Sequence, residues 1–199
     1  FIPNPMHVYR TAGVLAGLGL SYGGATTEED VVGLIFADQG IDLSKISGDI
    51  KIVSYLQGYG DTTTDEINAA IQAAPEAFIS VGMATTFFTQ QLNAAGIEFS
   101  DIDSFTKSNG EAITNGKLVY LAGKYSSSVG PAFALVMNAI NGNVIRDAQG
   151  NAVSLSQNYQ VAIDSETFDK FYKNDNGDNP IYSRDTLDQI IGDTVTFDT

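Results

Sequence analysis

What most constrains this chain is the order of its apolar segments. Short runs rich in β-branched and aromatic residues alternate with stretches of helical period, and Gly or Pro punctuates the joints. Residues 31–37 are continuously apolar and end at Asp38-Gln39-Gly40, which predicts a strand buried on both faces, as in a parallel sheet. Residues 49–55 are a second predicted strand, with an exit loop at 57–61. Thr62, Thr63 or Thr64 caps a helix running to Ala74, with Asp65 and Glu66 in its first turn. Pro75 breaks that helix, and 76–81 is a third strand. A helix over 84–95 stops at Gly96. A strand over 99–105, a short helix over 110–115, a strand over 117–122 and a helix over 129–140 complete the series, with Ser126, Ser127 and Ser128 as caps of the last. This alternation argues for an α/β fold with a mostly parallel sheet.

The flanks read differently. Residues 6–20 predict a helix with apolar Met6, Tyr9, Val14, Leu15 and Leu18. Its small residues Gly13, Ala16, Gly17 and Gly19 form a thin face suited to lying close on a sheet. Beyond Asn143 a polar turn at 147–151 leads to a strand over 159–163 and short helices at 168–172 and 187–191. The loop at 174–180 lies between them. We therefore divide the chain into an α/β lobe, 1–145, and a return segment, 146–199, packed on the same lobe.

Charge narrows the partners. Ten Lys plus Arg against 24 Asp plus Glu give a net charge of −14. Non-specific nucleic-acid binding rests on clustered Lys and Arg, and docking on anionic membranes needs a basic face, so neither is expected. The absence of Cys removes disulfides, thiolate metal sites and thiol nucleophiles. The apolar stretch at 12–20 is far short of the ~20 residues of a membrane span. The chain opens on Phe1, so it is expected to be a processed product or a fragment.

No local motif carries a reaction. His7 is the only His and is read as a surface or helix-start residue. Ser104-Phe105-Thr106-Lys107 spells S-x-x-K, but Ser104 falls at a strand end and K-T-G is absent. The glycines at 13, 17 and 19 lie inside a helix rather than after a strand, the wrong context for a dinucleotide fingerprint. The loop at 174–179 lacks the spaced Asp ligands and closing Glu of an EF-hand. No cofactor or metal is expected. What remains is collective. The predicted strand exits carry Phe36, Asp38 and Gln39; Gln57, Tyr59 and Asp61; Ser80 and Met83; Asp103 and Ser104; Lys124 and Tyr125. Ligands of open α/β sheets bind outside the carboxyl ends of strands. Loops at strand ends are also simply polar, and composition does not separate the two.

The order of segments adds a resemblance. Residues 75–80, the helix ending Leu92-Asn93-Ala94-Ala95-Gly96, Ile102-Asp103-Ser104-Phe105, Glu111-Ala112-Ile113-Thr114-Asn115-Gly116-Lys117-Leu118, and Gly130-Pro131-Ala132-Phe133 with Asn141-Gly142 follow one another as in type I periplasmic binding proteins. Ala12-Gly13-Val14-Leu15-Ala16-Gly17 and Tyr55-Leu56-Gln57-Gly58-Tyr59-Gly60-Asp61 resemble the basic-membrane-protein branch, the nucleoside-binding lipoproteins. The similarity spans residues 9–142. Val81-Gly82 stands where relatives often have Asn-Asp, and Lys124 stands where they have a Gln.

The resemblance implies one lobe, the C-terminal one, of a three-layer α/β sandwich whose N-terminal lobe is missing. It implies an extracytoplasmic solute receptor, periplasmic or anchored as a lipoprotein, that closes on a sugar or nucleoside and delivers it to an ABC permease. It is not expected to be an enzyme. The expected ligand contacts are Asp38, Gln39, Tyr59, Asp61, Ser80, Met83, Asp103, Ser104, Lys124 and Tyr125. The alternatives are a sensing module of the same fold and a carboxylate-dependent hydrolase using Asp38, Asp61 and Asp103.

Overall fold

The computed structural model describes residues 4–57, 62, 64–124, 129–152, 158–176 and 182–192. The chain forms two compact units. One holds Phe1–Asp103 and Asn115–Tyr120, the other Ser104–Thr114 and Leu121–Thr199.

The first unit begins with α1 (Pro5–Gly17), capped by the Asn4 side chain, which accepts the Met6 N–H at 3.0 Å. Val8, Ala12 and Leu15, four and three residues apart, form its buried face. The thin face does not lie on a sheet: Gly13, Ala16, Gly17 and Gly19 are exposed, and a Cβ added at Gly13 or Gly17 would meet nothing within 4 Å.

The predicted strand over 31–37 is instead the middle of a helix, α2 (Glu28–Asp38). The ends decide it. The Thr27 hydroxyl accepts the Asp30 N–H, Glu28, Glu29 and Asp30 complement the N-terminal dipole, and Gln39 closes the helix in the left-handed region at φ 56°. Val31, Val32 and Ile35 are buried against α1, so a continuous apolar run reflects one packed helix face rather than two sheet faces. The core here is Val8, Ala12, Leu15, Leu20, Tyr22, Val31, Val32 and Ile35. Two short strands, β1 (Ser21–Tyr22) and β2 (Ile46–Ser47), pair antiparallel beside it.

The predicted strand over 49–55 also fails. Residues 51–57 belong to no ladder, although Ile52, Ser54 and Leu56 are half-buried and alternate with exposed Lys51, Val53, Tyr55 and Gln57. The period of two is present, but among the described residues no strand pairs with it. From there on the predicted series holds: α3 (Thr64–Gln72), β3 (Phe78–Ile79), α4 (Ala84–Phe87), α5 (Thr89–Ala95), β4 (Phe99–Ser104), α6 (Lys107–Thr114), β5 (Leu118–Lys124) and α7 (Val129–Ile140). The expected helix over 84–95 is broken into two at Phe88. Ser126, Ser127 and Ser128, the expected caps of α7, lie outside the described residues.

The main sheet has four strands in the order β3-β4-β5-β6, where β6 is Gln160–Ala162. Phe78 and Ile79 pair in parallel with Phe99 and Ser100; Leu121, Ala122 and Gly123 pair antiparallel with β6. The chain is thus mixed α/β with a mostly parallel sheet, as the alternation predicts. In the second unit α8 (Ser165–Asn176) packs on α6 and β6, and α9 (Arg184–Gly192) packs on α7. Beside buried Ile113, Leu121 and Ala134 it holds an aromatic cluster: the Phe105 ring lies 5.6 Å from Phe168 and 5.5 Å from Phe171, and Tyr172 stacks on Phe168 at 5.4 Å.

Candidate functional site at the carboxyl ends of β3 and β4

Parallel pairing brings two strand ends side by side. Past β3 the chain runs Ser80-Val81-Gly82-Met83 into α4; β4 ends through Asp101, Ile102 and Asp103. The Ser80 N–H donates to the Ser100 carbonyl at 2.9 Å, which extends the pairing by one residue. The Ser80 hydroxyl accepts the Gly82 N–H at 3.0 Å, and Met83 adopts φ 63°. A left-handed residue without a glycine's freedom is costly, so the packed surroundings hold this turn in place.

Helix α1 supplies the bases. Arg10 Nη1 donates to the Val81 carbonyl at 2.8 Å and to the Ile102 carbonyl at 3.1 Å, which ties the two strand ends together. His7 lies one turn earlier on the same helix face. A Cβ added to Gly82 would sit 3.2 Å from its Cε1. Burial and the neighbouring Arg10 charge hold the His7 imidazole below its usual 6.5.

Beneath the turn is a carboxyl group. Asp101 has 0% exposure, and its Oδ2 accepts the Ala84 N–H at 2.8 Å. Its Oδ1 is buried and meets no hydrogen-bond partner. Burial pushes its carboxyl up to about 6; the Ser80 hydroxyl opposes the rise and the Asp103 charge reinforces it. The half-buried members of this set, Asp103, Arg10 and His7, can bind hydroxyl and amide groups by hydrogen bonds of either sense, while the buried Asp101 and Ser80 serve the turn itself.

The expected site residues distribute as follows. Ser80 and Met83 lie on this turn, and Asp103 follows Ile102, whose carbonyl Arg10 ties to that of Val81. Asp38 and Gln39 do not lie at a strand exit, because the preceding segment is α2. Asp38 instead closes a network within the first unit, taking the Tyr22 hydroxyl at 2.7 Å and pairing with Lys45 at 2.5 Å. The Lys45 hydrogen bond, then that of Tyr22, holds its carboxyl below the usual range. Gln39 is exposed. Ser104 and Lys124 belong to the second unit. The Ser104 carbonyl accepts from Asn109 Nδ2 at 2.7 Å, and the Lys124 ammonium lies 5.8 Å from the Tyr159 ring centre. Tyr59, Asp61 and Tyr125 lie outside the described residues. An open groove of about 450 Å³ runs between residues 53–57 and α3, lined by Tyr55, Gln57, Thr62 and Glu66 among others.

Asp101, Arg10 and His7 were not among the expected contacts. Asp101 had a signal: the period of two places it on the face of Phe99, which is buried. The spacing of His7 and Arg10, three residues on one helix, marks a shared face. Among the described residues no group of three or more His, Asp or Glu could hold a metal ion, and no helix is long and apolar enough to cross a membrane. No family model, no curated protein and no solved structure matches the chain.

Proposed function

We propose that the chain is one lobe of an extracytoplasmic solute-binding protein that captures a sugar or nucleoside-like solute for an ABC permease, without catalysing a reaction. The observation that carries this reading is that polar residues leave the carboxyl ends of two adjacent parallel strands, Ser80 and Met83 after β3 and Asp103 at the end of β4, where Arg10 ties the Val81 and Ile102 carbonyls. Open α/β sheets bind ligands at that edge. The element order from β3 to α7 agrees with the type I periplasmic-binding resemblance. Asp103 would accept solute hydroxyls, Met83 would pack on the apolar face of a ring, and closure of a second lobe would exclude water.

The test is a thermal-shift screen of the chain against monosaccharides and nucleosides, repeated on Asp103→Asn. A ligand that binds only the folded state raises its stability by RT ln(1 + [L]/Kd). At 100 times Kd the gain is about 2.7 kcal/mol, which moves a melting point by several degrees. One class of solute should stabilise the chain, and the variant should lose most of that shift. No shift with either class at millimolar concentration overturns the proposal.

A further inference from the structure

Helix α7 is apolar on two opposite faces. Pro131, Ala134 and Asn138 are buried on one, and α9 packs against the helix near Gly130, where an added Cβ would meet Leu187 at 3.3 Å and Tyr182 at 3.4 Å. The opposite face carries Val129, Phe133, Val136 and Ile140, with exposures of 66%, 54%, 57% and 71%. A helix with one face in water ordinarily places charged or polar residues there. This one does not: no charged residue lies between Lys124 and Arg146.

The stripe is spaced four, three and four residues apart, which is the seam of a two-helix coil. That spacing reads the same in both directions. A two-fold axis across its middle therefore brings the stripe onto itself, with Val129 against Ile140 of a second copy and Phe133 against that copy's Val136. Ala132 and Ala139, exposed beside the seam, are small enough to let two helix axes approach to about 8 Å. At these exposures the six residues offer about 500 Å² per copy, and a pair covers about 1,000 Å², the floor for a specific interface and the mark of a weak one. Charge favours the same face. A net charge of −14 opposes self-association through the charged surface, whereas this stripe is buried without desolvating any charge. We infer that α7 is a self-pairing surface: two copies of this chain associate through antiparallel α7 helices, with Phe133 beside the two-fold axis.

Sedimentation equilibrium of the full chain tests the pairing. The average mass should climb from 21.2 kDa toward twice that value as concentration rises from about 10 μM to about 1 mM. Phe133→Glu should stay monomeric throughout and keep the wild-type circular dichroism spectrum, because the side chain it replaces is half in water already. Where Phe133→Glu does not fold, Ile140→Glu, at the most exposed of the four positions, carries the same test. The chain has no Cys, so single Cys variants report the register. A short bismaleimide should join Val129→Cys to Ile140→Cys in a mixture of the two. It should join neither variant to itself, since like positions lie about 16 Å apart along the antiparallel helices. A wild type that stays at 21.2 kDa, a dimer that survives the Glu substitution, or linkage of one Cys variant to itself overturns the inference. A monomer whose Glu variants melt earlier than wild type places another segment of the same chain on the stripe, and overturns it too.

Discussion

Gly110 offers a contest between two effects of opposite sign. It lies inside α6, where replacing Gly by Ala ordinarily stabilises a helix by about 1 kcal/mol. A Cβ at this position would sit 2.4 Å from Phe168 Cε1, 2.8 Å from Cζ and 3.1 Å from Cδ1. Real Cβ atoms essentially never approach below 3.0 Å, so something must move. The Phe168 ring is 5% exposed, with Tyr172 stacked at 5.4 Å and Phe105 at 5.6 Å, and has little room to swing. Overpacking of this kind costs about 1–3 kcal/mol, and a clash with a wedged ring belongs in the upper part of that range. Gly110→Ala should therefore lose about 1–2 kcal/mol net. Phe168→Leu removes the offending ring edge at a cost of its own. In that background Gly110→Ala should become neutral or stabilising, a coupling of about 2 kcal/mol. Urea unfolding of the four proteins, followed by far-ultraviolet circular dichroism, measures the cycle. A Gly110→Ala protein at least as stable as wild type, or strict additivity with Phe168→Leu, would show that α8 does not press on α6 as described.

Three further perturbations follow from the packing. Tyr22→Phe removes a hydroxyl that donates to Asp38 at 2.7 Å and accepts the Asp42 N–H at 3.0 Å; it should cost about 1–2 kcal/mol in urea unfolding. It should also abolish the latest phenol in an absorbance titration, since burial pushes Tyr22 up to about 12. Arg10→Met strips a charged donor from the half-buried Val81 and Ile102 carbonyls and should cost about 2–3 kcal/mol, unfolding the first unit at lower urea. The pH dependence has a definite sign. Asp101 is raised on folding, so its contribution is fully present below 3.8 and is lost as pH rises through about 6, a swing of roughly 3 kcal/mol. The lowered acids Asp38, Asp42, Asp147 and Asp164 act oppositely, losing stability as pH falls, and they cancel in the difference between wild type and Asp101→Asn. That difference should favour Asp101→Asn increasingly from pH 4 to 7; parallel curves would refute it.

Legibility in the sequence followed the punctuation. From Pro75 onward breakers or stops mark several of the joints: Pro75, Gly96, Asn115-Gly116, Asn141-Gly142. The predicted elements between them appear within a few residues of their expected bounds. The two expected strands that do not form are those for which periodicity alone carries the expectation. At 31–37 a continuous apolar run fits a buried strand and a buried helix equally; Thr27 and the three acids after it were the deciding signal. At 49–55 the alternation is genuine, but a strand is defined by its partner, which no local pattern supplies.

The same dependence explains the candidate site. A residue earns a place at a strand exit only if the strand exists, so Asp38 left the set as soon as 31–37 became α2, whereas Ser80, Met83 and Asp103 kept theirs with β3 and β4. What the exits did not disclose is that half the chemistry arrives from another element. His7 and Arg10 reach the turn from a helix more than 70 residues earlier in the chain, a pairing that only the tertiary fold creates. They leave little room at Gly82: a Cβ there would meet His7 Cε1 at 3.2 Å, His7 Nε2 at 3.5 Å and Arg10 Nη1 at 3.6 Å, so the imidazole would have to give by a few tenths of an ångström. The turn is thus lined from α1 as well as from its own strands, by Arg10 on the Val81 and Ile102 carbonyls and by His7 beside Gly82.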